Sequence, residues 1–279
     1  MAIVFKVKPW YKKSGGGYKG IWVPKTWLGA DGTSISGDNV WTDGTDIYYS
    51  AGASSNQWML DRSESRWVSK SWAVSKSISG KYVWTDGTDV YASYYNSMAP
   101  SNSYQYVLNK STSTWSNITW SGYTRIYGNV IWTDGTDIYY SSSNNQYVLD
   151  KSTNTWYAKT WQGLTSFSGQ NIWTDGENIY YSNDSNQYVL DKSTYTWSAK
   201  TWYGLTSFKG QYIWTDGTDV YYSNGGTNQY VLDKTTSTWS TKTWSGISQS
   251  DINYLVGSNI WKDGDHIYLS DGGYQYELT

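Results

Sequence analysis

The chain has 279 residues, 19% of them aromatic, and its 20 Trp and 29 Tyr stand against only 3 Phe. Only 16% of the residues are charged and none is cysteine, which excludes disulfides and thiolate metal sites. The formal net charge of −2 predicts no broad footprint for a nucleic-acid backbone, and no apolar run approaches the ~18 residues that span a membrane.

Residues 1–19 form a basic leader with five lysines and no acidic residue, which leaves a net charge of −7 on the rest of the chain. The leader begins with alternating apolar and polar residues, typical of a short strand, and continues into a glycine-rich joint at 14–17. Its longest apolar run, 2–5, is too short for a signal peptide, so export by the usual secretory route is not predicted. We interpret the leader as a linker or attachment arm, and a disordered leader is the alternative.

From residue 20 onward, one unit is written six times. Each copy holds a Trp-x-Asp-Gly motif with an apolar-aromatic run after it, then a Gln-Tyr-Val-Leu-Asp stretch or a variant, then a Trp-x4-Trp pair. The motif tryptophans recur at intervals of 43, 48, 41, 41 and 47 residues, which is typical of four-stranded propeller blades. These tryptophans, predicted to be structural, are Trp41, Trp84, Trp132, Trp173, Trp214 and Trp261.

Each unit divides into four short runs, which we call strands a to d. Strand a ends in the Trp-x-Asp-Gly motif, and Asp-Gly is a strong hairpin signal that leads into strand b. Strand c is the Gln-Tyr-Val-Leu-Asp stretch, and a polar turn leads into strand d, which is predicted to carry the Trp-x4-Trp pair. No segment shows a helical period, so the sequence predicts an all-β fold.

The two ends of the chain predict the number of blades. The sixth unit, about 257–279, contains strands a to c but no strand d. The missing piece stands at the other end, about 20–28, where Trp22 and Trp27 precede the first Trp-x-Asp-Gly motif. An N-terminal strand that completes the last blade closes the ring and removes its exposed edges. Residues 20–279 are therefore predicted to form a six-bladed β-propeller of four-stranded antiparallel blades.

Two resemblances accompany these patterns. Strand b followed by a strand c that ends in Asp-Lys-Ser-Thr-Asn-Thr-Trp resembles the kelch repeat through all six units, which implies a propeller that holds a partner protein. The chain departs from kelch units at the end of strand b, where it has Tyr-Ser (Tyr140-Ser141, Tyr181-Ser182) in place of Gly-Gly. The leader is similar to the Lys-Val-x-x-Trp-Lys stretches of bacteriophage tail and baseplate proteins, which implies a virion protein.

Propeller geometry predicts which face binds. The a–b and c–d turns lie on one face; the a–b turn is nearly constant from unit to unit, and most c–d turns are near copies of one another. The b–c and d–a connections lie on the opposite face and vary. The variable segments are 51–56, 94–104, 142–145, 183–186 and 245–257. Because binding sites usually occupy variable loops on a rigid scaffold, we expect any ligand on this face, which we call the loop face.

A second repeated pattern lies just before strand a. Six residues before each motif tryptophan stands an apolar residue, and a glycine follows two residues later. We interpret the apolar residue as a plug between blades and the glycine as permitting a turn, with a hydrophobic ring around the channel mouth as the alternative. The pairs are Ile35 and Gly37, Ile78 and Gly80, Ile126 and Gly128, Phe167 and Gly169, Phe208 and Gly210, and Leu255 and Gly257.

Several kinds of chemistry are disfavoured, and no metal or cofactor is predicted. Asp43 and its repeated equivalents are interpreted as turn residues rather than as a calcium ladder. His266 is the single histidine, which excludes copper oxidases that need more than one, and three arginines do not supply the cluster of a sialidase. A glycosidase would need two positioned carboxylates, for which the loop face offers Asp184, Asp251 and Asp271 as candidates.

Aromatic residues outside the repeat pattern are the predicted ligand-binding residues, because sugars stack on aromatic rings and tyrosine-rich surfaces also bind proteins. They are Tyr94, Tyr95, Tyr104, Tyr123, Tyr127, Tyr203, Tyr254 and Tyr274. The predicted function is non-enzymatic binding of surface glycan or protein by a phage receptor-binding or decoration protein, located on the virion or outside the cell. Residues 1–19 are expected to mediate attachment to the virion or formation of an oligomer. An intracellular kelch-like scaffold and an amplified or engineered propeller without a ligand remain open, as does a cytoplasmic location.

Overall fold

Each blade is built on four antiparallel strands, a to d, that are neighbours in the sheet in that order. In blades 3, 4 and 6 a two-residue strand from the next repeat also pairs with strand b, namely Phe167–Ser168, Phe208–Lys209 and Ile35–Ser36. A computed structural model of the chain describes residues 20–29, 35–52, 57–73, 78–100 and 103–279. The six sheets form an all-β, six-bladed propeller, as predicted. The predicted linker at 1–19 and parts of two variable loops, 53–56 and 101–102, lie outside the described residues.

The strands are short, and strand a lies innermost in each blade. From blade 1 to blade 6, the a strands are Val40–Thr42, Val83–Thr85, Ile131–Thr133, Ile172–Thr174, Ile213–Thr215 and Ile260–Asp263. The b strands are Ile47–Ser50, Val90–Tyr94, Ile138–Ser143, Ile179–Asp184, Val220–Ser223 and His266–Gly272. The c strands are Gln57–Asp61, Tyr104–Asn109, Asn145–Asp150, Asn186–Asp191, Gln229–Asp233 and Tyr274–Leu278. The d strands are Arg66–Ser69, Thr114–Asn117, Thr155–Ala158, Thr196–Ala199, Thr238–Thr241 and, for blade 6, Trp22–Pro24.

The ring is closed by the N-terminal strand, as predicted. Trp22–Pro24 runs antiparallel to the last strand of the chain, with Trp22 opposite Leu278. The Trp22 side chain is fully buried and packs against two tryptophans of blade 5. Pro24 is tolerated because it lies on an outer edge strand, where its missing N–H breaks no inner ladder.

The hydrophobic core is divided into six clusters, one between each pair of adjacent blades. Because successive side chains of a strand point to opposite faces of the sheet, Ile172 faces blade 3 while Trp173 faces blade 5. The cluster between blades 3 and 4 joins Trp132 and Trp161 of one blade to Trp197 of the next. Every blade therefore depends on both of its neighbours for the burial of its strands.

A repeated set of contacts holds strands a and b together, shown here for blade 4. The Trp173 indole nitrogen donates to the Ser182 hydroxyl over 2.8 Å, and both residues are buried. Tyr180 stacks on the indole with ring centroids 4.5 Å apart, and its hydroxyl donates to Asp175 over 2.9 Å. The indole–serine bond recurs in every blade at 2.8–3.0 Å. This bond gives a physical reason for serine where kelch units have glycine.

The repeated aspartate of the a–b turn is occupied by the turn itself. Asp175 accepts hydrogen bonds from the backbone N–H groups of Glu177 and Asn178 at 3.0 and 2.8 Å, through the oxygen that does not meet Tyr180. Within the described ranges, no group of three or more His, Cys, Asp and Glu residues is placed to hold a metal ion. The turn interpretation of these aspartates agrees with this geometry.

A ring of six short 3-10 turns precedes the a strands, and each turn contacts its two neighbours in the ring. The turns are Gly37–Asn39, Gly80–Tyr82, Gly128–Val130, Gly169–Asn171, Gly210–Tyr212 and Gly257–Asn259, and a further 3-10 turn lies at Asp251–Tyr254. The apolar residue two positions before each glycine of the ring is at most 2% exposed and packs between blades, in agreement with its interpretation as a plug.

The glycines of this ring serve a purpose different from the one expected. Gly210 does not adopt a left-handed conformation, so the turn itself does not require glycine. A Cβ atom placed on Gly210 would lie 2.0 Å from the carbonyl oxygen of Asn171 in the preceding turn. A Cβ atom placed on any of the other five glycines would likewise lie 2.0–2.1 Å from a carbonyl oxygen of the neighbouring turn. They allow the six turns to close upon one another.

Strand d is shorter than predicted and holds only the first tryptophan of each pair. In blade 3 the strand ends at Ala158, and Trp161 lies in the segment that crosses to blade 4. That segment bonds to the start of the next strand d, where the Trp197 N–H donates to the Gln162 carbonyl over 2.9 Å. No helix among the described residues is long and apolar enough to span a membrane.

Substitution of Gly210 by alanine is expected to lower the free energy of unfolding by about 1–3 kcal/mol, because the added methyl group forces neighbouring turns apart. Chemical denaturation of the purified protein measures the change. Gly273→Ala is the matched control, since a Cβ there meets no atom within 4 Å and the backbone is not left-handed. Equal stability of the two variants would contradict the account of the ring.

The stability of the protein is expected to fall as the pH rises above about 10, the ordinary pKa of tyrosine. Burial and the Asp175 carboxylate raise the pKa of Tyr180 well above this value, and equivalent tyrosines in blades 1, 2, 3 and 5 share the effect. The folded state therefore retains protons that the unfolded state loses. Above the ordinary pKa, each such tyrosine lowers the free energy of unfolding by about 1.4 kcal/mol per pH unit.

Urea unfolding between pH 9 and 11 measures this slope. Tyr180→Phe is expected to make the slope shallower by the contribution of one tyrosine, whereas Tyr157→Phe is the control because Tyr157 is 53% exposed. A stability that does not change across this pH range would show that the buried tyrosines are not held protonated by the fold.

Candidate functional site

Blade 2 places tyrosines where the other blades have small or polar residues. The residue after the serine of strand b is Tyr94, and the equivalent residues are Ala51, Ser142, Asn183, Asn224 and Asp271. Tyr104 lies directly opposite Tyr94 in the sheet, and the two ring centroids are 5.5 Å apart. Both lie at the loop-face end of blade 2, as their position at the start and end of the b–c connection requires.

Two further segments bring tyrosines to the same place. Tyr82 ends the 3-10 turn of blade 2, and its ring centroid lies 4.7 Å from that of Tyr94. Tyr127 immediately precedes the 3-10 turn of blade 3 and lies 6.2 Å from Tyr94 and 6.3 Å from Tyr95. These five half-buried residues, Tyr82, Tyr94, Tyr95, Tyr104 and Tyr127, form a continuous set of rings that we call the tyrosine surface.

The base of the tyrosine surface is fixed by packing. Tyr104 stacks on Tyr106, which is buried between blades 1 and 2, and the Ser79 backbone N–H reaches the Tyr104 hydroxyl at 3.4 Å. Burial raises the pKa of Tyr104 far above its ordinary value, so this phenol remains neutral. The tyrosine surface thus offers ring faces and hydroxyl groups on a rigid support.

The long b–c connection of blade 2 is shaped by one side chain. The Asn96 side-chain oxygen accepts hydrogen bonds from the backbone N–H groups of Met98 and Ala99, at 3.0 and 3.1 Å. The Asn96 N–H in turn donates to the Ser103 hydroxyl over 2.7 Å. In the turn formed in this way, the Met98 side chain is 91% exposed.

Arg125 lies at the edge of the tyrosine surface. Its neighbour Ile126 is fully buried, and in an extended segment the residues on either side of a buried one point the opposite way. Arg125 and Tyr127 therefore share one side, and the guanidinium carbon lies 5.5 Å from the centre of the Tyr95 ring. Arg125 is exposed, and within the described residues no carboxylate lies within 4 Å of it.

The remaining predicted tyrosines lie elsewhere. Tyr254 and Tyr274 stack at 3.6 Å between the Asp251–Tyr254 turn and the b–c connection of blade 6, on the loop face. Tyr123 stacks on Tyr147 at 4.2 Å and packs between blades 2 and 3. Four of the eight predicted residues therefore meet in the tyrosine surface, and these three lie apart from it.

Tyr203 lies on the opposite face of the propeller, away from the other seven. Its backbone N–H donates to the Ser237 carbonyl in the c–d turn of blade 5, and the side chain is 61% exposed. The reason is that the segment after strand d crosses to the next blade beside its c–d turn. The spacing of the repeated motifs does not show that the segment after strand d takes this path.

A polar cleft opens on the loop face between blades 5 and 6, with a volume of about 490 Å³. Its lining contains no charged and no aromatic side chain. The lining residues are Asn224, Gly225, Gly226, Thr227, Asn228, Gln249 and Asn253. The variable segment 245–257 was expected to reach this face, whereas the contribution of 224–228 was not predicted.

The candidate carboxylates of the loop face are either paired with a neighbouring side chain or partly buried. Asp251 accepts a hydrogen bond from the Tyr276 hydroxyl, which lowers the pKa of the aspartate. Asp184 lies 3.8 Å from the Lys209 ammonium, and burial raises the pKa of Asp271. His266 pairs with a Glu277 oxygen at 2.7 Å.

Tyr82 and Arg125 belong to the site but were not predicted from sequence. Arg125 stands where blades 1, 2, 4 and 5 have serine and blade 6 has Tyr254. Such departures from the repeat were the available signal, and only aromatic residues were selected by it. Tyr82 carries no such signal, since blade 5 also has a tyrosine, Tyr212, at this position.

The chain is similar to two solved structures of the extracellular domain of a protein from B. thetaiotaomicron. One, described as a hybrid two-component system, is 8% identical, with a TM-score of 0.53 over 95% of this chain and 42% of that chain. The other, described as a one-component system, is 14% identical, with a TM-score of 0.49 over 85% of this chain and 31% of that chain. This chain thus spans less than half the length of either. The first likeness shows the propeller fold and nothing beyond it.

No protein-family model matches the chain, and no curated protein matches it. The kelch resemblance and the resemblance of the leader to phage tail proteins therefore gain no support from these comparisons.

Proposed function

We propose that this protein is a non-enzymatic binding module that recognises glycans on a cell surface through the tyrosine surface of blades 2 and 3. The observation that carries the proposal is the meeting of tyrosine rings from separate segments at one place on the loop face. Tyr94, Tyr95 and Tyr127 stand there at positions that most other blades fill with small or polar residues.

The fold does not require these tyrosines. The other blades close in the same way with Ala51, Ser142 or Asn183 at the position of Tyr94. An aromatic side chain that remains half exposed contributes less to packing than a buried one, and its ring face is available to a ligand. Sugars present apolar C–H faces to such rings, while neutral phenol hydroxyls hydrogen-bond to sugar hydroxyls.

The proposal of binding rather than catalysis rests on the state of the loop-face carboxylates. Asp251 is engaged by the Tyr276 hydroxyl, and Asp184 lies beside Lys209. Neither belongs to the tyrosine surface. The rings and the hydroxyls of that surface supply contacts for recognition, and phenols kept neutral by burial, such as Tyr104, are poor bases.

A virion attachment role for residues 1–19 completes the proposal and rests on their sequence. Residue 20 lies near Lys242, at the outer edge of blades 5 and 6. In a ring of six blades, this edge is opposite the boundary of blades 2 and 3. Residue 20, where the leader joins the propeller, therefore lies on the far side of the ring from the tyrosine surface, which suits a receptor-binding or decoration protein outside the cell.

The double substitution Tyr94→Ala with Tyr95→Ala is expected to weaken glycan binding by at least about tenfold, equivalent to 1.4 kcal/mol, because two ring faces are removed. Binding to a broad array of bacterial and mammalian glycans and to intact bacterial cells measures the effect. The melting temperature is expected to change little, since other blades lack these rings.

Tyr203→Ala is the matched control, because this residue is exposed on the opposite face. Glycan binding that survives the double substitution and fails in Tyr203→Ala would contradict the proposed site. A wild-type protein that binds no glycan and instead captures a folded protein through the exposed Met98 loop would favour the kelch-like scaffold.

A further inference from the structure

Arg125 differs from the other two arginines of the chain. Arg62 meets Asp263 at 2.7 Å, and Arg66 lies 3.7 Å from Glu64, both on the face of the a–b and c–d turns. Arg125 is on the loop face and has no acidic partner among the described residues. The Arg125 guanidinium carbon lies over the Tyr95 ring, 5.5 Å from its centre.

The sequence on either side of Arg125 is free of acidic residues over a long stretch. Residues 90–133 contain no Asp or Glu, although the chain has 23 acidic residues, and they contain Lys110 and Arg125. Strand c of blade 2 ends in Asn109, where blades 1, 3, 4 and 5 have aspartate. The segment that builds most of the tyrosine surface is therefore positively charged within an otherwise acidic chain.

The guanidinium of Arg125 is suited to an anionic ligand. Its planar group carries several N–H donors around the edge, and Arg125 is exposed, with no carboxylate among the described residues within 4 Å of it. These donors match the two oxygens of a carboxylate, and charge-assisted pairs of this kind are about twice as strong as neutral hydrogen bonds. Lysine would supply the charge without the planar fork.

We infer that the tyrosine surface selects saccharides that carry a carboxylate, with Arg125 pairing with the carboxylate while Tyr95 and Tyr127 contact the sugar rings. The inference rests on the proposed glycan-binding function and specifies the ligand class of the same site. Uronic and sialic acid polymers both belong to this class, and the test separates them.

The test compares the binding of purified protein to polygalacturonate, alginate, hyaluronan and polysialic acid with binding to the carboxyl-reduced form of each polymer. Wild-type protein is expected to bind at least one acidic polymer about tenfold or more tightly than its reduced counterpart, with a preference that weakens at higher salt. Arg125→Gln is expected to abolish the preference for the acidic form, and Arg125→Lys is expected to retain only part of it.

Arg66→Gln is the matched control, because it removes one positive charge from the opposite face. A loss of preference in this variant as large as in Arg125→Gln would overturn the inference, since net charge alone would then explain it. Equal binding to acidic and reduced polymers would also overturn the inference, yet leave the proposed function standing. An absence of binding to every polymer, acidic, reduced or neutral, would contradict both.

Discussion

The whole propeller depends on the contacts that the buried tryptophan of strand a makes with strand b and with the next blade. In blade 4, Trp173 donates its N–H to Ser182, stacks on Tyr180 and packs against Trp239 of blade 5. One side chain thus joins strand a to strand b and one blade to the next. In all six blades the indole nitrogen has a hydrogen-bond partner and the ring is buried. The blades are therefore held together by side-chain contacts as well as by the segments that connect them.

A scaffold held in this way permits its loops to differ, and the differences are concentrated in blade 2. Tyr94 and Tyr95 extend the aromatic character of the core onto the loop face, where Tyr127 of blade 3 meets them. The ring of glycine turns brings these segments together, because each turn touches the carbonyl of its neighbour. The close approach of neighbouring turns therefore also brings residues of blades 2 and 3 together at one site.

The features that repeat along the chain are predictable from sequence, whereas those that depend on residues of different blades meeting in space are not. The spacing of Trp173 and its equivalents predicts the blades, and Trp22 predicts the closing strand. The sequence shows that glycine recurs at position 210 and its equivalents, but not that a carbonyl of another blade approaches it there. It does not identify Tyr82 and Arg125, since their membership of the site depends on neighbouring blades. It also does not show that Tyr203 lies on the opposite face, because the path of its segment beside the next c–d turn leaves no pattern in the sequence.

The protein is proposed to hold its ligand on the tyrosine surface. Hydroxyl-radical footprinting with mass spectrometry tests this most directly, because exposed tyrosine rings are themselves oxidised; it is carried out with and without the polymer that the wild-type protein binds most tightly. The bound polymer is expected to reduce oxidation of Tyr94, Tyr95 and Tyr127 and to leave the exposed rings of Tyr157 and Tyr203 unchanged. Unchanged oxidation of the first three, or protection confined to the last two, would contradict it.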